Sequence, residues 1–143
     1  MIDKTAIIDP SAQIAEDAII GPNVVIGKNV KIGSKTRVIA NAYIEYAEIG
    51  EGCTISPFAT IGSEPQDLGY KGEETKVVIG DGTIIKENVT VHRGAACGDF
   101  TTRVGKKCLL MVGSHVAHNC VLEDEVILAN LVTLGGHVHV GFG

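Results

Sequence analysis

Along residues 20–38 the aliphatic positions fall six apart, at Ile20, Ile26, Ile32 and Val38, and Gly21, Gly27 and Gly33 follow the first three. Four places after these ladder residues stand small or branched ones, Val24, Val30 and Thr36. An α-helix repeats its apolar face every 3.6 residues and a half-buried strand alternates, so neither sustains a period of six. Short strands joined by tight corners do, and the intervening Gly, Asn and Lys suit those corners. A hexapeptide period is the signature of a parallel β-helix. Three strands close one triangular coil, and the aliphatic residues of successive coils stack inside it. The pattern therefore predicts an all-β solenoid.

The ladder opens with Ile8 and holds one register through Ile14, Ile20, Ile26, Ile32, Val38 and Ile44. It slips by one residue and continues at Ile49, Ile55 and Ile61. The polar stretch Ser63 to Val77 then breaks the period, yet Ile79, Ile85 and Val91 resume in the register of Ile61. Residues 63–77 are therefore expected to loop out from one corner, where an ordered solenoid often carries function. A second irregular stretch, Arg93 to Arg103, precedes a ladder of Val104, Leu110, Val116, Leu122, Leu128, Leu134 and Val140. About seven coils, stacked about 4.8 Å apart, would form a prism roughly 35 Å long. The final Gly141–Phe142–Gly143 follows a ladder position with no polar cap. Because open coils invite pairing with other chains, the chain reads as a piece of a longer protein, or as one whose last coil another subunit covers.

Composition agrees with one such domain over 1–143. Hydrophobic residues make up 45% of the 143 but aromatics only 4%, with no Trp, so the core must be aliphatic. A net charge of −5 lacks the basic footprint of a nucleic-acid binder. No apolar run approaches a membrane span, and the Met1–Thr5 start carries no secretory signal core. These features point to the cytoplasm, where the four cysteines stay reduced. Cys53, Cys108 and Cys120 occupy the fifth place of their repeats, an inward packing position.

Candidate chemistry lies in the last third, at His115, His118 and His137. His118 is the third residue of its repeat, and Gly136 is the third residue of the repeat one coil later. The two should stack side by side, with His137 next to them, about 4.8 Å apart. A base beside a bare backbone N–H suits acyl transfer, the N–H meeting the developing oxyanion. Surface histidines on a solenoid are otherwise ordinary polar decoration. Zinc is the rival ligand of histidine, but His115 and His118 fall on different parts of a repeat, so no metal site is expected. His92 and His139 have no evident partner in the sequence.

Four segments carry a narrower resemblance: Pro65–Glu73 (PQDLGYKGE), Val89–Gly94 (VTVHRG), His115–His118 (HVAH) and Leu134–His137 (LGGH). In order and spacing the chain resembles the acyl carrier protein–UDP-N-acetylglucosamine O-acyltransferases of lipid A synthesis. The resemblance covers the whole chain, while the family continues past Gly143 with further coils and a helical C-terminal domain. It implies a left-handed parallel β-helix, against the right-handed default of parallel crossovers. It also implies a homotrimer, no cofactor, and transfer of a 3-hydroxyacyl group from acyl carrier protein to the 3-hydroxyl of UDP-N-acetylglucosamine. His118 matches the family's general base and Gly136 its oxyanion donor. Asp67, beside Gln66, matches a contact to the sugar nucleotide, and His115 and His137 match further substrate contacts. The chain departs from the family at Gly69, where Lys is usual, and at Asn119, where many members have Asp. An N-acyltransferase, a carbonic-anhydrase-like metal enzyme and a non-catalytic scaffold are the rival readings.

Overall fold

A computed structural model describes all 143 residues, which form twenty short strands and no helix. Three parallel sheets make the sides of a triangular prism. The first face carries β1 (Ile7–Ile8), β4 (Val25–Ile26), β7 (Tyr43–Ile44), β10 (Thr60–Ser63), β13 (Thr90–His92), β16 (His115–Val116) and β19 (Thr133–Leu134). The second carries β2 (Gln13–Ile14), β5 (Val30–Ile32), β8 (Ala47–Ile49), β11 (Lys76–Ile79), β14 (Thr101–Val104), β17 (Val121–Leu122) and β20 (His139–Val140). The third carries β3 (Ile19–Ile20), β6 (Arg37–Val38), β9 (Thr54–Ile55), β12 (Ile84–Ile85), β15 (Leu109–Leu110) and β18 (Ile127–Leu128).

Each strand is brief because each hexad holds one extended pair and then a corner. The fourth place of the hexad takes the left-handed conformation, as at Asn23, Asn29, Asn41, Asn88 and Asn119. Asn enters that region more readily than other side chains. Lys35, Lys107, Glu125, Leu131 and His137 adopt it too, at about 1–2 kcal/mol apiece. Corner hydrogen bonds between coils offset part of that cost. Glu125 N–H donates to the Lys106 carbonyl at 2.8 Å, and His137 N–H to the His118 carbonyl at 3.1 Å. The Gly after a ladder residue answers crowding: a Cβ on Gly21 would lie 1.8 Å from the Ile39 carbonyl oxygen.

The ladder is the core. Ile20, Ile26, Ile44, Ile55, Ile61, Ile79, Ile85, Leu110 and Leu122 are fully buried, each worth roughly 1.5–3 kcal/mol of transfer free energy. Ile8, Ile14, Leu134 and Val140 are only partly buried, since a terminal coil has a neighbour on one side alone. The fifth places pack inward as expected. Thr36 Oγ1 donates to the Gly50 carbonyl (2.6 Å) and accepts from Cys53 N–H (3.1 Å), so its buried hydroxyl is satisfied. Burial pushes the Cys53, Cys108 and Cys120 thiols up, away from reactivity.

Register locates the irregularities. Ile8 pairs Ile26 and Ile26 pairs Ile44, eighteen residues per coil. Ile44 pairs Ile61, one short, because the corner after β7 has lost a residue. Ile61 pairs Val91, a surplus of twelve, and Val91 pairs Val116, a surplus of seven. The first loop is shorter than the expected 63–77. Ser63 belongs to β10, and Lys76 and Val77 to β11, so the loop comprises residues 64–75. The second irregularity likewise narrows from 93–103 to 93–100, because Thr101–Val104 is regular β14.

Candidate active site

Both loops leave the prism at the same edge, where the chain turns from the first face to the second. The shortened corner after β7, the loop after β10, the loop after β13, His118 after β16 and Gly136 after β19 succeed one another along it. One edge therefore gathers every departure from the hexad and most of the candidate side chains.

Arg93 fastens the first loop to this edge. It is only 7% exposed. Its Nη1 donates to the Gly62 carbonyl at 2.7 Å and to Glu45 Oε2 at 3.3 Å, and its Nε to Tyr70 Oη at 3.2 Å. The guanidinium also covers the Tyr46 ring, 4.5 Å from its centroid. Tyr70 passes its own hydroxyl proton bond on to the Glu73 carbonyl at 2.6 Å. Asp67 shapes the loop tip: its Oδ1 accepts from Gly69 N–H at 3.0 Å and its carbonyl from Tyr70 N–H at 3.0 Å. Gln66 is exposed beside it.

Two coils further on, His118 and Gly136 stand together as the register requires. A Cβ built on Gly136 would lie 2.6 Å from both Cε1 and Nε2 of His118, so only glycine lets the imidazole occupy this position. The Gly136 N–H makes no hydrogen bond within the protein. His118 Nδ1 lies 2.9 Å from Asn119 Oδ1. That same Oδ1 accepts from Ala95 N–H (2.9 Å), while Nδ2 donates to the Ala95 carbonyl (3.3 Å). The two backbone bonds fix the amide with its oxygen toward the imidazole, so Nδ1 is the donor to Asn119, and in the neutral ring the lone pair is on Nε2. Asn119 thus performs the orientation, and ties it to the second loop.

His137 meets His118 edge to face, 5.2 Å between ring centroids, as the sequence placed it. His115 is set apart on β16, its Nδ1 2.7 Å from Thr90 Oγ1 and its ring 4.7 Å from that of His92. His92 therefore does have a partner. Burial and the neighbouring His115, His118 and Arg93 push His92 down to about 4, and burial lowers His115. His139 also has a partner, Glu123 on the second face. Gln66 and Asp67 share the edge with the histidines but make no hydrogen bond to them.

Sequence reasoning missed Arg93 as the loop's anchor, and it missed Cys97. The thiol of Cys97, on the second loop, lies 3.3 Å from His137 Nε2. A groove of about 390 Å³ on the second face, lined by Lys31, Glu48, Lys76 and Asp99 among others, contains none of these histidines.

A family model described as the GMPPB C-terminal domain matches residues 2–66, the coils before the first loop and the loop's opening residues. A curated relative from Thermodesulfovibrio yellowstonii, an acyl-[acyl-carrier-protein]–UDP-N-acetylglucosamine O-acyltransferase, is 51% identical over 140 residues. The alignment takes in 97% of this chain and 54% of that protein. Over nearly its whole length the chain is thus similar to the N-terminal half of UDP-N-acetylglucosamine O-acyltransferases. The UDP-N-acetylglucosamine O-acyltransferase of Moraxella catarrhalis superposes with a TM-score of 0.96 at 47% identity, covering 97% of this chain and 55% of that one. The Bacteroides fragilis UDP-N-acetylglucosamine acyltransferase gives 0.94 at 44% identity, with 97% and 55% covered. The coil is the left-handed parallel β-helix of this family. The chain spans about half the length of the relatives it matches.

Proposed function

We propose that this chain carries the catalytic edge of an acyltransferase that moves a 3-hydroxyacyl group from acyl carrier protein to the 3-hydroxyl of UDP-N-acetylglucosamine. The observation that carries the reading is the His118 imidazole, held through Nδ1 by Asn119 Oδ1 and packed against Gly136, whose N–H makes no hydrogen bond within the protein. His118 Nε2 takes the proton of the sugar 3-hydroxyl as its oxygen attacks the thioester carbonyl carbon. The carbonyl oxygen gains charge and accepts a hydrogen bond from Gly136 N–H. Collapse of the tetrahedral adduct expels the carrier thiolate, which receives the proton from the imidazolium. The thioester is already activated, so the step calls for no cofactor.

The first loop supplies the acceptor site in this reading. The loop that carries Asp67 and Gln66 leaves the edge two coils before His118, about 10 Å at strand spacing, a span that a sugar nucleotide bridges. His115 and His137 flank the sugar. Residues 1–143 act as one β-helical unit. It assembles as a homotrimer in the cytoplasm, a reading supported by outward-facing Ile19, Ile84 and Ile127 on the third face and by four free cysteines. No helix is long and apolar enough to cross a membrane.

The test is acyl transfer from 3-hydroxyacyl carrier protein to UDP-N-acetylglucosamine, with the Thermodesulfovibrio yellowstonii relative as positive control. His118→Ala is expected to lower kcat by about 10²- to 10⁴-fold while leaving UDP-sugar binding within a few-fold. A variant that keeps most of its kcat overturns the reading.

A further inference from the structure

Cys97, His118 and His137 bring one ligand atom each to within 4.8 Å of one another. They arrive from three places: Cys97 from the surplus residues of the second loop, His118 and His137 from successive corners of the same edge. Cys97 Sγ and His137 Nε2 are 3.3 Å apart. Donors bound tetrahedrally to zinc, at about 2.0–2.1 Å for nitrogen and 2.3 Å for sulfur, lie roughly 3.5 Å from each other. Two of the three donors are therefore already at ligand spacing, and the donor of His118 lies within 4.8 Å of both.

The surroundings favour an ion as well. A metal-bound histidine ordinarily gives its other ring N–H to an oxygen that fixes the tautomer, and Asn119 Oδ1 does this for His118 Nδ1. The oxygen is itself held by Ala95 N–H, on the loop that carries Cys97, so ligand and orienting group belong to one connected unit. Cys97 and His137 are exposed, which leaves an entry path and an open fourth position. One thiolate and two imidazoles select zinc-class cations over magnesium or calcium.

We propose that Cys97, His118 and His137 form a zinc-class site whose occupation switches acyl transfer off. Binding releases the Cys97 thiol proton to solvent and takes up the Nε2 lone pair of His118, so no base remains for the sugar hydroxyl. The switch rests on His118 being the base; the metal site does not.

Titration of the reduced 143-residue chain with Co²⁺ reads the site directly. The expected result is one ion per chain, a near-ultraviolet thiolate-to-cobalt charge-transfer band, visible bands of a four-coordinate ion, and loss of all of them on adding Zn²⁺. Cys97→Ser should abolish the charge-transfer band, and Asn119→Ala should weaken binding by about 10- to 100-fold. A cobalt spectrum without that band, or one unchanged by Cys97→Ser, overturns the site. In the transfer assay, zinc should stop the wild-type chain and a chelator should restore it, while Cys97→Ser turns over at the wild-type rate and resists zinc. Equal zinc inhibition of Cys97→Ser overturns the switch. A chain that binds cobalt through Cys97 but transfers no acyl group, with or without chelator, refutes the acyltransferase reading and the switch while leaving the metal site standing.

Discussion

Gly136→Ala should separate catalysis from folding. The added methyl would stand 2.6 Å from Cε1 and Nε2 of His118, whereas such atoms rest at about 3.5–4.0 Å. The imidazole must retreat by roughly 1 Å. It can do so, being the end of a half-exposed side chain, but the move breaks its 2.9 Å bond to Asn119. A displacement of that size at the reacting groups costs about 10²-fold in rate, or about 2.7 kcal/mol of transition-state stabilisation. Stability should barely change. The lost hydrogen bond costs about 1 kcal/mol, and replacing Gly by Ala at an unstrained position returns about 0.4–1 kcal/mol through the unfolded chain. Gly135→Ala is the control, because its Cβ meets nothing within 4 Å. The assay pairs kcat for acyl transfer with a thermal melt and long-range nitrogen spectra of the imidazoles. A Gly136→Ala chain with wild-type kcat and unmoved His118 resonances would refute the juxtaposition, and so would one that fails to fold.

Arg93→Met removes the guanidinium from the Gly62 carbonyl, Tyr70 and the largely buried Glu45. Urea melts should show a loss of about 3–5 kcal/mol, and protease should cut within 64–75; an unaltered melt and an uncut loop would show that Arg93 is no clamp. His92, held at about 4 by burial and by His115, His118 and Arg93, is neutral when folded. Between that value and the ordinary 6.5 the unfolded chain binds the extra proton, so stability is complete above pH 6.5 and falls as pH drops toward 4. The full shift corresponds to about 3 kcal/mol, and partial exposure reduces it to about 2. Melts of His92→Phe should lose this slope, and an unchanged slope would assign it elsewhere. Asp67→Ala should weaken UDP-sugar binding in calorimetry without lowering the melting temperature of the prism. Asp67→Asn keeps the acceptor for Gly69 N–H, so equal affinity in Asp67→Asn and wild type would show that the turn matters and the charge does not.

The hexad by itself determined the ladder and the neighbours eighteen residues apart. A fixed number of residues per coil turns sequence separation into spatial adjacency, which is why His118, Gly136 and His137 are legible as one group and why the places of Cys53, Cys108 and Cys120 mark them as packing residues. The resumption of register at Ile79 likewise showed that the first loop leaves and returns at one corner. Tertiary structure alone decided what the surplus residues do. Loop residues have no period, so nothing in the spacing leads Arg93 to Glu45, forty-eight positions back, or Cys97 to His137, forty positions on. The pairing of His92 with His115 depends on how seven extra residues are absorbed between β13 and β14. The tautomer of His118 depends on an amide held by the backbone of that same loop. A regular coil fixes its contacts by counting. The loops at its edge fix theirs by hydrogen bonds and charge, which only the folded arrangement brings within reach.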